Sequence, residues 1–485
     1  MGTISRLPDE IICLILAQFD SIQVAKLEHV CKQWKNVARS HKSLWKDALF
    51  LEGNRDLSTK FVNRRLLALT KRSGGTLDHL GASLDLTDVR IDAIKKFNDR
   101  LLTANVQNLW LHMEPNENPY ESWEDHIHMG NYNKLVTKTL NTIAQCTNLK
   151  SLHVQLFGST MFEHDAERFP RKLASKPIAQ CKLERITLNG FRNDTLFEDD
   201  ALFHMLEKAR VIEITLKDDP VPEKHALRLL EGAKDTLEEC QFDILEDKTL
   251  TRSSSKILTL PHLFRLYLCS KREPGRRMPQ RSIAESESQT EDVSHVFSGT
   301  SLDCPRLKEV YLEGQISSSL RQDLLKDSLE TLHIDMMHNP LLSKASLLKN
   351  CTRLKKLVLE YIPYYCQAYL EDLRNDLSFI PLEELILVRA EFGKGDELVE
   401  LIKARREDPK LTTIQRLYLV ACSTLEPEHH AWLSKNVEDF QQVGRSILSG
   451  DKKSDPNQPI HFYDKFKSIL HRRNYIESPM IVPQT

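Results

Sequence analysis

The sequence predicts an α/β protein that begins with a short helical segment and continues as an array of strand–helix units. Two observations predict this class. Residues 7–45 repeat apolar side chains at helical spacing, and a six-residue apolar pattern recurs from residue 106 onward with helical sequence in most gaps. Apolar content of 40% and charged content of 28% are typical of a soluble globular protein.

The N-terminal segment combines helix-start signals with an apolar stripe. Pro8 is tolerated in a first helical turn, and Asp9 and Glu10 place negative charge at the positive end of the helix dipole. The first helix carries Leu7, Ile11, Ile12, Ile15, Leu16 and Phe19. A second helix, capped by Asp20 or Ser21, is predicted to carry Ile22, Val24, Leu27, Val30, Cys31 and Trp34. Because a segment of about 40 residues rarely buries a core of its own, we expect these faces to contact a neighbour.

The order and spacing of these residues resemble an F-box. The resemblance rests on Leu7-Pro8-Asp9-Glu10-Ile11-Ile12, Ile15-Leu16, Leu27, Val30-Cys31-Lys32, Trp34 and Leu44-Trp45. In F-box proteins a three-helix unit binds the Skp-type adaptor of a cullin–RING ubiquitin ligase. The resemblance therefore implies that these residues, Lys32 apart, contact such an adaptor. The alternative is an ordinary amphipathic helical hairpin that caps a larger domain.

After this segment the pattern apolar-x-x-apolar-x-apolar recurs. These hexads start at residues 106, 149, 183, 211, 237, 263, 307, 329, 354, 382 and 414. One strand and one helix per roughly 20 to 30 residues predicts a leucine-rich-repeat solenoid, in which stacking supplies the core that a single unit lacks. The Asn or Cys expected eight positions after the first apolar residue is mostly missing, and only Cys422 fits. We therefore expect an irregular solenoid, and the whole resembles F-box proteins of the leucine-rich-repeat type.

These patterns give the predicted domain boundaries. They are an F-box at 1–48, a helical linker or cap at 49–83, a solenoid at 84–440 and a polar C-terminal tail with a short helix at 441–485. Residues 270–300 mix Pro, Gly, Ser and both charge signs, which predicts a disordered insertion within one repeat. Its basic half (Lys271, Arg272, Arg276, Arg277 and Arg281) is compatible with a nuclear-import patch; the alternative is a solvated loop without a role.

The strands predict a target-binding face. Side chains alternate along a strand, so positions 3, 5 and 7 of each unit should face the concave surface. Position 5 is rich in aromatic residues, which dominate interface energetics. The predicted target-binding residues are Trp110, His153, Arg265, Tyr267, Glu309, Tyr311, His333, Lys356, Arg416 and Tyr418. The alternative is that these side chains only support cross-strand packing.

Near the C-terminal end of the array the same face is predicted to be apolar. Val358, Ile386, Val388 and Val420 fall at concave positions. Since water disfavours a large apolar surface, we expect either the tail after residue 440 or a partner to cover it.

The sequence lacks the motifs of common catalytic sites. It contains no G-x-x-x-x-G-K-[ST], G-x-G-x-x-G, G-x-S-x-G or H-E-x-x-H motif. His126 and His128 in EDHIHMG supply two metal-ligand candidates without an evident third. No CxxC pair occurs, and Cys146, Cys181, Cys304 and Cys351 precede Leu-rich runs, which predicts small buried side chains. We predict no catalysis, no cofactor and no metal.

The sequence therefore predicts a non-catalytic, substrate-recognition subunit of a Skp–cullin–F-box ubiquitin ligase. It would bind the Skp-type adaptor, and through it the cullin–RING subunits, while the repeats bind an unknown target protein. The alternatives are a non-ligase F-box scaffold and a solenoid enzyme or metal protein centred on His126 and His128. A net charge of −2 favours neither nucleic acid nor membrane as a partner. The absence of a membrane-spanning run or signal-peptide core predicts a cytoplasmic or nuclear protein, or both.

Overall fold

The computed structural model describes residues 7–19, 21–50, 59–85, 91–114, 136, 138–156, 181–191, 201–216, 220–245, 256–271, 297, 300–314, 323–335, 345–361, 366–392 and 394–443. The chain divides into two compact units, Met1–Asp243 and Ile244–Thr485. Both are mixed α/β units built on parallel strands. Among the described residues, no helix is both long and apolar enough to cross a membrane.

The N-terminal segment folds as helices α1 (Asp9–Leu16), α2 (Ser21–Leu27) and α3 (Lys32–Ser40), followed by a 3₁₀ turn at Lys42–Trp45. The predicted second helix is therefore divided. The backbone N–H groups of His29 and Val30 donate to the carbonyls of Lys26 and Leu27, which ends α2. Cys31 was expected on the apolar face of that helix, but it has an extended backbone and precedes α3 as its N-cap.

The first unit continues with alternating strands and helices. They are β1 (Asp47–Phe50), α4 (Thr59–Ser73), β2 (Leu77–Asp85), α5 (Ile91–Thr103), β3 (Val106–Glu114), β4 (Ser151–Leu156), β5 (Arg185–Phe191), α6 (Ala201–Met205), β6 (Val211–Leu216), β7 (Val221–Pro222), α7 (Glu223–Ala233) and β8 (Glu239–Leu245). The strands pair in the order β1-β2-β3-β4-β5-β6-β8, and β7 pairs with β8. The sheet thus begins before residue 84, the predicted start of the array, because β1 and β2 already belong to it.

The second unit repeats this plan. Its elements are β9 (Lys256–Thr259), β10 (Arg265–Lys271), β11 (Thr300–Asp303), β12 (Glu309–Gly314), β13 (Thr331–Asp335), a 3₁₀ turn (Ala345–Asn350), β14 (Lys356–Glu360), α8 (Cys366–Arg374), β15 (Glu384–Val388), α9 (Asp396–Glu407), β16 (Arg416–Val420), α10 (Pro427–Asn436) and β17 (Asp439–Val443). Parallel pairing follows the order β10-β12-β13-β14-β15-β16-β17, while β11 pairs with β9.

Two predicted boundaries differ from the strands. β10 extends to Lys271, within the predicted insertion 270–300, and β17 crosses the predicted start of the tail at residue 441. The rest of the tail, and residues 272–296 and 298–299 of the insertion, lie outside the described residues.

One part of the core of the second unit lies between its sheet and its helices. The Leu residues of three central strands are fully buried: Leu357 and Leu359 in β14, Leu385 and Leu387 in β15, Leu417 and Leu419 in β16. Parallel strands that follow one another in one direction through right-handed crossovers have their connections on the same face. The helices therefore pack on the Leu face, and the alternate side chains form the opposite face.

A left-handed residue recurs at one repeat position. It lies at position 8 of the unit, counting from the first hexad residue, in Gly190, Gly314, Tyr361, Arg389 and Ala421. Their φ angles are 77°, 80°, 54°, 53° and 53°, respectively. Residues other than glycine adopt this conformation infrequently, so its repetition shows that several units share one turn geometry.

This turn links neighbouring units through the backbone. The N–H groups of Tyr361, Arg389 and Ala421 donate to the last carbonyls of the adjacent strands, at Val388 (2.9 Å), Val420 (2.9 Å) and Val443 (2.7 Å). At the next repeat position, where Asn or Cys is expected, the Cys422 thiol donates to the Leu387 carbonyl at 3.2 Å. These units are thus connected without the missing Asn side chains.

Candidate functional site

Helix α1 carries apolar residues on two faces. Ile12 and Leu16 point inward and are fully buried, as their i, i+4 spacing requires. Ile11 is 42% exposed, Leu14 is 63% exposed and Ile15 is half-buried. At 100° per residue, these three side chains fall within an arc of about 100° on the other side of the helix. We refer to Ile11, Leu14 and Ile15 as the outer α1 face.

The predicted adaptor-binding residues divide by accessibility. Those exposed or half-buried are Leu7, Pro8, Asp9, Glu10, Ile11, Ile15, Leu27, Val30 and Cys31. Those buried in the chain are Ile12, Leu16, Trp34, Leu44 and Trp45. The buried five hold the helices together, so the surface open to a partner consists of the first group.

Two exposed apolar residues were not among the predicted contacts. Leu14 has the largest exposed fraction of the outer α1 face, and Phe19 in the turn after α1 is 40% exposed. The signal for Leu14 was its position three residues after Ile11. The apolar stripe predicted from the sequence is complete without Leu14, because Ile11 pairs with Ile15 and Ile12 with Leu16 at i, i+4.

The start of α1 is fixed to α3 by one side chain. Gln33 Nε2 donates to the Leu7 carbonyl at 2.9 Å and to Asp9 Oδ1 at 2.8 Å. The N–H groups of Ile11 and Ile12 both donate to the Pro8 carbonyl at 3.1 Å. These bonds set the direction in which the outer α1 face points.

A buried carboxylate connects the helical segment to α4. Glu28, after α2, is 5% exposed and lies 3.1 Å from Arg72 of α4 and 3.8 Å from Arg39 of α3. The Arg72 guanidinium also stacks over the Trp45 ring at 4.3 Å, and Trp45 Nε1 donates to the Ala38 carbonyl at 2.6 Å. Because a buried charge requires a paired partner, Arg72 stabilises both this carboxylate and the packing of Trp45.

In the first unit, two predicted target-binding residues lie side by side on the alternate face of the sheet. The pairing register aligns Trp110 with His153, His153 with Thr187, Thr187 with Glu213, and Glu213 with Gln241. The Trp110 and His153 rings stack at 5.0 Å with an interplanar angle of 28°. Position 5 of the hexad that starts at residue 211 is Thr215, but Glu213 occupies this place in the row, because the hexad frame in β6 is displaced by two residues.

The environment of His153 keeps it neutral. Burial, with a smaller contribution from nearby His112, lowers the pKa of His153 to about 4. Its Nε2 atom is buried without a hydrogen-bond partner in the described part of the chain, and the same holds for Nδ2 of Asn189 on β5. Thr187 Oγ1 nearby donates to Glu213 Oε2 at 3.0 Å. This face therefore presents a neutral imidazole, an amide and a hydroxyl–carboxylate pair beside an aromatic ring.

In the second unit, the predicted aromatic residues pack on one another. Tyr267 and Tyr311 are in register and stack at 4.1 Å with an interplanar angle of 8°, and Tyr311 meets the edge of His333 at 4.2 Å. These three and Tyr418 are at most 7% exposed. Tyr311 Oη donates to Glu313 Oε2 at 2.9 Å, and burial raises the pKa of Tyr311. Their geometry matches the cross-strand packing alternative and leaves little ring surface open to a target.

The charged target-binding candidates of the second unit are more accessible. Arg265 Nε lies 2.7 Å from Glu309 Oε2, and Lys356 and Arg416 lie 2.8 and 2.9 Å from the Glu384 carboxylate. The side chains of Arg265, Glu309 and Arg416 are 40–44% exposed. Paired surface charges contribute little to stability, so these residues remain available for contacts with another protein.

Four predicted buried cysteines lie in the described residues, whereas the metal candidate does not. Cys146, Cys181, Cys304 and Cys351 are buried, as predicted, and burial raises the pKa of the last three thiols to about 12. A protonated thiol is a poor nucleophile. His126 and His128 lie outside the described residues, which contain no group of three or more His, Cys, Asp or Glu side chains that fits a metal ion.

Comparison with known families identifies the helical segment. Residues 4–50 match the F-box-like family, and a comparison with curated proteins finds no match. The matched range contains α1, α2, α3 and the 3₁₀ turn, and it includes every adaptor-binding residue predicted from the sequence. F-box domains generally bind Skp-type adaptors. The match confirms the resemblance for this segment: the chain carries an F-box-like domain at residues 4–50.

Proposed function

We propose that this protein is the substrate-recognition subunit of a Skp–cullin–F-box ubiquitin ligase. The observation that carries the proposal is the outer α1 face within the F-box-like domain. Its apolar side chains are exposed or half-buried, although the same helix buries Ile12 and Leu16 on its other side. Exposed apolar surface of this kind is typical of a protein–protein interface.

The same proposal assigns the strand array to target binding. We describe it as an irregular leucine-rich-repeat solenoid, supported by the parallel strand order, the buried Leu positions and the repeated left-handed turn. Contacts with a target would come from Trp110 and His153 in the first unit. In the second unit they would come from the accessible charges Arg265, Glu309, Lys356 and Arg416.

In this role the chain catalyses nothing itself and acts in the cytoplasm, the nucleus or both. By holding target and adaptor on one chain, it raises the effective concentration of the target's lysines near the ubiquitin-conjugating enzyme. Transfer then becomes effectively unimolecular, which lowers the entropic part of the barrier.

The adaptor interface is tested with the full chain and a variant carrying Ile11→Asp and Leu14→Asp. Each is mixed with purified Skp-type adaptor and analysed by size-exclusion chromatography. We expect the wild-type chain to co-elute with the adaptor and the variant to elute alone, because the interface would bury two unpaired charges. Equal co-elution of both chains refutes the proposed interface.

Ligase function is tested separately in cells. A true target should bind both chains, and its half-life should lengthen when the variant replaces the wild-type chain. If bound proteins keep the same half-life with either chain, the protein is a non-ligase F-box scaffold.

A further inference from the structure

An apolar patch lies on the face of the second unit opposite its helices. It consists of Val358, Ile386, Val388, Tyr418, Val420 and Val443, which form a cluster of their own. Along β14–β16 they alternate with the Leu residues that face the helices, and Val443 of β17 is in register with Val420, so all six belong to the other side of the sheet. We call this cluster the strand patch.

The strand patch is shielded from water. Its six members are 0–4% exposed. One layer of parallel strands covers only one side of such residues, and a buried sheet face requires a second layer. Among the described residues, however, only β14–β17 themselves contribute to the cluster. A further segment must therefore cover it.

The chain beyond β17 is placed and long enough to do so. Val443 is both a member of the strand patch and the last described residue, and residues 444–485 follow directly. The patch spans four strands, or about 15 Å at the usual spacing. About five extended residues cross that distance.

The sequence of this segment suits an apolar surface. Residues 461–470, HFYDKFKSIL, place Phe462, Phe466, Ile469 and Leu470 at i, i+4, i+7 and i+8, the spacing of one apolar helix face. Such a helix is stable only when its apolar face packs against another surface.

Charge is also complementary. Next to the strand patch, Glu313, Asp335 and Glu360 are in register on three adjacent strands, and the last two are 2% exposed. His333 Nε2 lies 3.3 Å from Glu360 Oε2. Three neighbouring acidic groups favour nearby cations. Residues 444–485 contain seven Lys and Arg against four Asp and Glu.

We infer that residues 444–485 fold back across β12–β17, with the apolar side of 461–470 on the strand patch and its basic side chains near the acidic row. The segment then covers the central part of this sheet face, while the charged side chains of Arg265, Glu309 and Arg416 stay accessible. This contact is intramolecular and does not depend on the adaptor.

Photo-crosslinking of the full chain tests the contact. The crosslinker p-benzoylphenylalanine replaces Phe466 in one chain and Phe379, which is 49% exposed on the described surface, in a control. We expect the probe at 466 to crosslink within residues 354–389 or 414–443, in several-fold higher yield than the probe at 379. Absence of these products, or crosslinks to residues 272–296 instead, overturns the inference.

Two further arms separate the alternatives. An equal mixture of ¹⁵N-labelled and unlabelled chains should give crosslinked peptides of one isotope composition; mixed pairs would show that a second copy covers the patch and would overturn the inference. In the variant with Ile11→Asp and Leu14→Asp the crosslink should persist. Its loss in that variant would overturn the independence from the adaptor interface, whatever the outcome of the adaptor test.

Discussion

Truncating the outer α1 face should weaken adaptor binding by a predictable amount. The change is Ile11→Ala together with Leu14→Ala. Complete burial of such a side chain contributes about 1.5–3 kcal/mol. Scaled by exposed fractions of 42% and 63%, the surface that binding can still bury is worth about 1 kcal/mol for Ile11 and about 1–2 kcal/mol for Leu14. We therefore expect a loss of about 2–3 kcal/mol, or an increase in Kd of about 30- to 150-fold.

The measurement is isothermal titration calorimetry of purified adaptor into the full chain. A matched control carries Leu102→Ala and Ile257→Ala, which truncate apolar side chains of 44% and 69% exposure in the strand array. The control should bind the adaptor with unchanged Kd. Thermal unfolding of the two variants should be shifted by similar amounts, since the truncated side chains have similar buried fractions in both.

Two results would refute this reasoning. One is a Kd change of less than about threefold in the Ile11 and Leu14 variant, which would mean that the outer α1 face stays in water in the complex. The other is an equal loss in the control, which would point to a general effect of reduced surface hydrophobicity. By contrast, Ile12→Ala should lower stability by about 2–5 kcal/mol, because it leaves a cavity in the domain.

Three other expectations concern stability and are measured by urea unfolding. Arg72→Ala should lower the free energy of unfolding by about 2 kcal/mol, because it exposes the ring of Trp45 and leaves the buried Glu28 carboxylate with one distant partner. The control Arg64→Ala, at an exposed position, should have little effect, and equal effects would contradict the role of Arg72 in stabilising Glu28 and Trp45. Gly190→Ala should lower the free energy of unfolding by more than about 2 kcal/mol, since φ is +77° and the new Cβ would lie 2.3 Å from the backbone oxygen of Leu156. Gly232→Ala in α7, where the new Cβ has no close neighbour, should raise it by about 0.5–1 kcal/mol. The pKa of His153 is about 4 in the folded protein and about 6.5 in the unfolded chain, so its contribution to the free energy of unfolding is present above pH 6.5 and is lost as the pH falls towards 4. His153→Phe should remove this pH dependence of the free energy of unfolding, and an unchanged dependence would contradict the assignment.

The hexad pattern located the strands well because it reflects burial on one face of a sheet. The row from Tyr267 to Tyr418 has the register expected from the sequence. β2 was not recognised, although Leu77, Leu80 and Ala82 follow the pattern, because alanine carries a weak apolar signal. In β6 the apolar pattern fits a hexad that starts at Ala209 or one that starts at Val211, and the sequence does not distinguish these two frames.

Other features depend on contacts between distant residues. The break between α2 and α3 brings Glu28 to Arg72, which lies 44 residues further along the chain, and no local pattern reveals that pair. The stacking of Tyr267 on Tyr311 likewise joins two strands that are distant in the sequence. Local spacing could therefore predict an apolar helix face that includes the exposed Ile11, but it could not predict which aromatic side chains of the array are buried.

The recurring left-handed turn has a consequence for how such an array can change. Its bonds run from backbone to backbone, so Gly, Tyr, Arg and Ala all serve at the same position. The segment that follows each turn is then free to differ in length and composition while the adjoining strands stay in register. Hexad spacing in the second unit can therefore be unequal, because the loops between its strands can vary independently of one another while the strands remain paired.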